Sequence, residues 1–362
     1  MNDVRSWQAP GRVTLLGEHL DYNGGTALGV ALDRGITLKA RARDDTRVRV
    51  WSTGEQRRHG ELDITDSTGE GWLAYVAGVL AELREIGLRT GADLVIESSL
   101  PEGAGLASSA ALTSVLVHAL AELNGLPHDS AFVVDAVHRV ENDQLGIPTG
   151  FLDQTVVAYA EDGQVLHLDF TDSPPQRALL TAAFAEAGVT LVLIDTRTRR
   201  TLADGRYADR RRECEATRTA LGLDRLAEVS LDKVVLLEDE TLKRRARHVL
   251  TETARVRSAR QLIADGRFDR FGPLLTASHE SLRDDFEVSC AQLDVAVETA
   301  LEAGALGAKL TGAGFAGCVV ALAPVAELSR IKELVEAQFE NAGWAAPGIV
   351  ATRPSVGLTE GT

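Results

Sequence analysis

Hydrophobic positions change their period several times along the chain, and each change marks an element. From Ala92 to Leu100 they alternate. Ala92, Leu94 and Ile96 fall on one side and Asp93, Val95 and Glu97 on the other, as in a strand with one buried face. Pro101 stops the strand and Gly103-Ala104-Gly105 turns the chain. Leu112, Val115, Leu116, Ala119, Leu120 and Leu123 then recur at helical spacing, closed by Asn124-Gly125. Ser108 and Ser109 fall in or just before the first turn of that helix. A second helix is predicted from about Asp129 to Leu145, ended by Gly146 and Pro148. Val13 to Leu16 and Ile36 to Ala42 read as strands, and Val189 to Asp195 as a buried one. Tyr207 to Leu221 and Asp239 to Ala264 read as long charged helices, and Ala308 to Ala323 as strand, glycine turn, strand.

Asp172-Ser173-Pro174-Pro175 reads as a linker. It places a domain boundary near residue 175, with units of 1–175 and 176–362, and the end from Thr359 to Thr362 is expected to fray. Over 362 residues, a 44% hydrophobic and 25% charged composition is that of folded, core-forming domains. The formal net charge of -15 repels nucleic-acid phosphates and anionic membranes, so neither is an expected partner. The first residues lack a basic stretch followed by an apolar one, and no run approaches the ~20 apolar residues of a membrane span. Cys214, Cys290 and Cys318 are odd in number and far apart, which suggests neither a disulfide framework nor a metal knuckle and fits a reduced cytoplasm.

The strongest local sign of chemistry is the segment from Pro101 to Ala111. Glycines allow tight turns and close ligand approach, and the helix start behind them offers free N–H groups and a positive dipole end. Together these make an anion site, to which Ser108 and Ser109 add hydroxyls and a potential Mg²⁺ ligand. No lysine follows, so this is not a Walker loop. A plain strand-to-helix turn with a serine cap is the alternative. Gly312-Ala-Gly-Phe-Ala-Gly317 matches G-x-G-x-x-G, but a strand-like segment, Cys318 to Leu322, follows where a dinucleotide site needs a helix.

Polar chemistry gathers in two further places. Around Gly17, a strand-like core carrying Arg12 ends in Glu18, His19 and Asp21. Carboxylates accept hydrogen bonds and imidazole can donate or accept, which suits the several hydroxyls of a sugar. Solvated loop carboxylates and a structural histidine are the alternatives. The other place is Glu141 with Gly150-Phe-Leu-Asp-Gln154, where Asp153 is either a functional carboxylate or the cap of a helix through Val156 and Val157.

These segments, in this order, resemble the galactokinase branch of the GHMP kinases. Gly11 to Gly25 is similar to the galactokinase signature, Leu100 to Ala111 to the superfamily phosphate loop, and Leu310 to Cys318 to its third motif. The stretches Tyr207 to Cys214, Arg244 to His248 and Ser278 to Glu287 add to the likeness. The resemblance implies an α+β, two-domain GHMP kinase fold, with an N-terminal S5-domain-2-like α/β domain, a C-terminal ferredoxin-like α+β domain and the active site between them. It implies ATP-dependent phosphorylation of the anomeric hydroxyl of galactose, the first step of the Leloir route, with ATP and Mg²⁺ required. Asp153 matches the catalytic aspartate and Arg12 its neighbour. Glu18, His19, Asp21, Gly150 and Tyr207 match sugar-contacting positions, and Ser109 and Glu141 the Mg²⁺ ligands. Gly103, Ala104, Gly105, Leu106, Ala107, Ser108, Ser109 and Ala110 match the nucleotide loop, and Trp72 an aromatic of the adenine pocket.

The chain departs from the pattern at Thr14, Leu20, Gly29, Ala107, Ala313 and Ala316. Thr14 and Leu20 neighbour sugar-contacting residues and bear on specificity. Ala313 and Ala316 stand where the motif has glycines and would strain the loop if those positions needed positive φ. Alternatives are a kinase of the same branch acting on N-acetylgalactosamine or arabinose, and a sugar sensor built on an inactive kinase.

Overall fold

The computed structural model describes residues 3–53, 57–65, 68–101, 103–199 and 205–361. Glu102, within the expected phosphate loop, and Thr362, at the expected frayed end, lie outside them. The described residues form two sheets with helices against each.

The larger sheet is founded on β1 (Arg5–Leu16) and β2 (Thr26–Ala42), which pair antiparallel with Trp7 opposite Leu38 and Val13 opposite Val30. Val13, Leu15 and Leu16 are all fully buried, so the end of β1 is covered on both faces. The register slips between Pro10 and Arg12, where proline has no N–H to give, and this irregularity precedes the residue that reaches the site. β5 (Ala92–Ser98) pairs with β2, followed outward by β3 (Arg47–Ser52) and β4 (Arg58–Asp63). β6 (Gln164–Asp169) joins β2 on another stretch, and β7 (Gln176–Thr181) pairs with β6. The expected linker is therefore the turn of a hairpin, and the sheet continues past residue 175. The last residues return to this sheet as well. β12 (Pro354–Ser355) pairs with β2, and β13 (Thr359–Glu360) pairs with β1 at Gln8 and Trp7. The end expected to fray is in this part an edge strand.

Helix α1 (Leu73–Glu85) packs on α2 (Ser108–Leu123), which lies across β1 and β2. α3 (Ser130–Arg139) and α4 (Leu152–Tyr159) cover α2 from other sides. That enclosure explains why α2 is buried nearly all round, with Thr113, Ser114, Leu116 and Leu120 all fully buried. The helix expected over 129–145 changes character at its end. After Arg139 the chain makes a π-helical turn, Val140–Gln144, which carries Glu141. Such turns recur at functional sites because they re-aim side chains.

The smaller sheet is antiparallel throughout, in the order β11 (Gly348–Thr352), β8 (Val189–Asp195), β10 (Cys318–Pro324), β9 (Gly307–Thr311). Helices α8 (Phe268–Asp284) and α9 (Ala291–Glu302) pack on β9, and α10 (Leu328–Asn341) packs on α9. α5 (Arg206–Ala220) and α6 (Leu231–Leu236) pack on α7 (Glu240–Ala264), which touches both β2 and α8 and whose start is capped by Asp239 through the N–H groups of Thr241 and Leu242. One continuous apolar core joins both sheets, from Trp7 through Leu116 to Phe339.

Candidate active site

Two cavities meet at Arg12 and Asp153. One, of about 130 Å³, is bounded by Glu18, His19, Asp21, Glu141, Gly150 and Tyr207. The other, of about 330 Å³, is bounded by Gly103, Gly105, Ala107 and Ser108. Arg12, Tyr75, Ser109 and Asp153 belong to both.

Arg12 and Asp153 form the junction. The guanidinium donates from Nε to Asp153 Oδ1 at 2.7 Å and from Nη2 to Oδ2 at 2.6 Å, a bidentate pair. Its Nη1 donates to the carbonyl of Gly105 at 2.7 Å, so one buried side chain ties the carboxylate to the glycine loop. Burial alone would lower the arginine's pKa, but Asp153 and Glu18 outweigh it and hold the charge in place. Asp153 sits in the first turn of α4 without capping it: the residue before the helix is Phe151 and no side-chain cap is made. A third of the carboxylate is exposed, toward the cavities it separates.

The glycine loop presents backbone rather than side chains. Ala104, Leu106 and Ala110 are buried and anchor it in the core, and Arg12 N donates to the carbonyl of Leu106 at 3.1 Å. The residue before α2, Ala107, takes a left-handed φ of 58°, and no side chain caps the helix. The leading N–H groups of α2 therefore face the larger cavity without a protein side chain on them.

Side chains from distant segments build the smaller cavity. His19 has a left-handed φ of 64° and its Nδ1 lies 2.9 Å from the Tyr22 hydroxyl. Its ring packs on Phe286 at 4.5 Å and lies 5.9 Å from that of Tyr207. Asp21 opens a short 3-10 turn, Asp21–Asn23, and lies so close to Gly150 that a β-carbon there would come within 1.9 Å of Asp21 Oδ2. Burial, and then the nearby charge of Asp153, push Asp21 up to about 6. Glu141 is buried and accepts from Thr149 Oγ1 at 2.8 Å. Burial pushes it up to about 7 against hydrogen bonds from Thr149 and Ser109.

The family models for the GHMP kinase N-terminal domain (residues 74–161), the galactokinase galactose-binding signature (2–42) and the GHMP kinase C-terminal domain (259–341) all match. The chain is 39% identical to a galactokinase of Streptomyces coelicolor over 360 residues, covering 97% of this chain and 92% of that one. It belongs to the galactokinase family. A galactokinase of Exiguobacterium sibiricum is 40% identical over 328 residues, 87% of this chain and 83% of the other. The Lactococcus lactis galactokinase, solved in complex with galactose, superposes with a TM-score of 0.91 at 32% identity, covering 99% and 95% of the two chains. Mevalonate kinase of Methanococcus jannaschii, at 18% identity and a TM-score of 0.73 over 98% and 99%, shares the fold. The galactokinase family's α+β architecture is thus the one seen here, and the chain is a kinase.

Most residues expected from the sequence come together at these cavities. Trp72 does not line either one. It precedes α1, half-buried against the core, and Tyr75 one turn on lines both cavities instead. Thr14 and Leu20, which bear on specificity by sequence, also lie outside the sugar-sized cavity. Leu20 is fully buried and Thr14 N bonds Thr311 Oγ1 at 3.1 Å. Ala313 and Ala316 adopt no positive φ, whereas Gly312, Gly314, Gly317 and Phe315 do, so the two methyl groups strain nothing.

The sequence reading gave no site role to the groups behind the cavity, although His248 and Ser278 end or begin stretches that carry the likeness. Glu252 accepts from Gly17 N at 2.7 Å, Ser278 Oγ at 2.9 Å and Arg255 Nε at 2.6 Å, fixing the turn before Glu18. His248 Nε2 lies 3.2 Å from the carbonyl of Glu18. Lys309 Nζ lies 3.2 Å from Glu18 Oε1. Only the buried charges on α7 and β9 could have signalled them, and their partners in the turn after β1 lie more than 200 residues away.

Proposed function

We propose that Asp153 takes the proton of the anomeric hydroxyl of galactose as that oxygen attacks the γ-phosphorus of ATP, giving galactose 1-phosphate and ADP. The observation that carries this reading is the bidentate Arg12–Asp153 pair at the meeting of a sugar-sized cavity and a glycine loop. The sugar lies among Glu18, His19, Asp21, Gly150 and Tyr207, where ionised carboxylates accept from its hydroxyls. A hemiacetal hydroxyl is more acidic than an ordinary alcohol, so a carboxylate base is sufficient. Base assistance of this kind is worth roughly 10²–10⁴ in rate. Arg12 holds the Asp153 carboxylate aimed and, through Gly105, sets its distance from the phosphates.

The phosphates of ATP lie over Gly103 to Ser109, on the N–H groups at the start of α2, and Trp72 and Tyr75 supply aromatic surface for the adenine side. Among the described residues no group of three or more His, Cys, Asp or Glu side chains forms a metal cage. The hydroxyl of Ser109 and the carboxylate of Glu141 nonetheless line one cavity, and Ser109 favours the ionised form of Glu141. Two hard oxygen ligands beside a phosphate site fit Mg²⁺, which completes its shell with phosphate oxygens and water. When bound, the ion offsets charge on the transferring group. Glu141, held near neutrality by burial, is the carboxylate such a cation would ionise.

The three cysteines are free thiols, which supports a reducing cytoplasmic setting, and among the described residues no helix is long and apolar enough to cross a membrane. The deciding experiment is ADP release from Mg·ATP with galactose, N-acetylgalactosamine, arabinose, glucose, homoserine and mevalonate. Galactose is expected to give the highest kcat/KM. A higher value with N-acetylgalactosamine would move the substrate assignment, and no release with any acceptor would overturn the proposed reaction.

A further inference from the structure

Lys309, at the centre of β9, is fully buried, and none of the chemistry above uses it. Its Nζ reaches Glu18 Oε1 at 3.2 Å and the carbonyl of Thr14 at 3.3 Å. Three residues on, the N–H of Gly312 donates to the same Oε1 at 2.7 Å. Both contacts to the Glu18 carboxylate thus fall on one oxygen and come from one strand and its turn. Oε2 remains as the oxygen with capacity for a hydroxyl, and Glu18 bounds the sugar-sized cavity.

The turn that supplies these contacts is itself fixed. A β-carbon at Gly312 would meet the carbonyl of Gly105 at 2.7 Å, so the backbone of the third glycine motif rests directly on the phosphate loop. A buried ammonium is destabilising unless geometry and hydrogen bonds compensate it. A methionine would fill the same space without that cost. Burial raises the Glu18 carboxyl above its usual range, and the charge of Lys309 is the largest force opposing it.

We propose that Lys309 is a positioning residue for the sugar, holding Oε1 of Glu18 from β9 so that Oε2 meets a hydroxyl of the hexose. The inference rests on the reading of Glu18 as a sugar-contacting residue. Lys309 therefore governs galactose affinity without touching galactose. Its effect on the sugar passes through Glu18, its other contact being the carbonyl of Thr14 on β1, and the ATP site, on the far side of the Gly105–Gly312 contact, should feel its loss less than the sugar site does.

The test is steady-state kinetics on Glu18→Gln, Lys309→Met and the double variant, with thermal melts for each. Glu18→Gln and Lys309→Met are each expected to raise KM for galactose ~10-fold or more, the worth of a charged hydrogen bond, with KM for ATP within about twofold. In the double variant, where no unpaired charge is buried, KM for galactose should stay within about twofold of Glu18→Gln. If Lys309→Met proves too unstable to assay, the comparison of the double variant with Glu18→Gln still decides. A folded Lys309→Met with unchanged KM for galactose overturns the inference. So does a loss shared equally by both substrates, or a double variant that shows the full product of the two single effects. An unchanged KM for galactose in Glu18→Gln would instead remove the role of Glu18 on which the inference stands.

Discussion

The two cavities that share Arg12 and Asp153 are built in opposite ways. Beyond the shared residues, which include Tyr75, the phosphate side is made of one continuous segment, Gly103 to Ser109, and offers mainly backbone. The sugar side is made of side chains from β1, the turn after it, the π-helical turn, the loop before α4 and the start of α5. Backbone N–H groups at a helix start recognise any phosphate and tolerate changes of side chain. Convergent side chains recognise one arrangement of hydroxyls and tolerate little. The first side should therefore absorb substitution and the second should not, with the shared Arg12–Asp153 pair the most sensitive point of all.

Asp153→Asn tests that shared point and should have the largest effect. Turnover is expected to fall ~10²–10⁴-fold, while galactose and nucleotide still bind by calorimetry. Near-normal turnover would show that Asp153 serves only to anchor Arg12.

Gly150→Ala tests the sugar side through sterics alone. The added methyl would collide with Asp21 Oδ2, which must move or lose its aim. KM for galactose should rise roughly 10–100-fold, as for loss of one or two hydrogen bonds, with KM for ATP unchanged. Equal changes in both constants would mean that the two sides are not separable.

Asp21 also carries a pH signature. With its carboxyl raised to about 6, by burial first and by Asp153 next, it is ionised and accepting above that pH and protonated below it. The kcat/KM for galactose should fall as pH drops through about 6, and Asp21→Asn should remove that limb from a lower plateau. Stability runs the other way. A folded-state value above the unfolded one means the contribution of Asp21 is fully present below about pH 4 and lost as pH rises through 6. Asp21→Asn should thus melt at a higher temperature than the parent at pH 7.5, with the gap closing in acid. A milder change on the same wall, Tyr207→Phe, should narrow the galactose-to-glucose ratio of kcat/KM severalfold, about the worth of one neutral hydrogen bond. An unchanged ratio would take the Tyr207 hydroxyl out of sugar recognition.

Ala107→Ser should do least. Residue 107 is in the left-handed region, where a serine hydroxyl does not reach the cap position that an extended residue would give it. KM for ATP is expected to move less than about threefold. A larger change would break the contrast by showing that side chains matter on the phosphate side too.

What the sequence determined by itself is what short-range physics encodes. The alternation from Ala92, the helical spacing from Leu112 and the glycines between them place a strand, a helix and an anion-binding turn in order. A strand after Gly317 ruled out a dinucleotide site in the same manner. Local pattern could likewise gather Glu18, His19 and Asp21, because one turn brings them together. Tertiary structure decided the rest. Pairing of β7 with β6, and of β13 with β1, joins segments across a proline-rich turn and across the whole chain, and no local period announces such pairings. Tyr75 lines both cavities while Trp72, one turn earlier, is half-buried against the core, and the sequence pattern does not separate the two. The buried pair of Lys309 and Glu18 is the clearest case. Each is an ordinary charge in its own segment, and only the packing of β9 behind the turn after β1 removes both from water and leaves each the other's necessary partner.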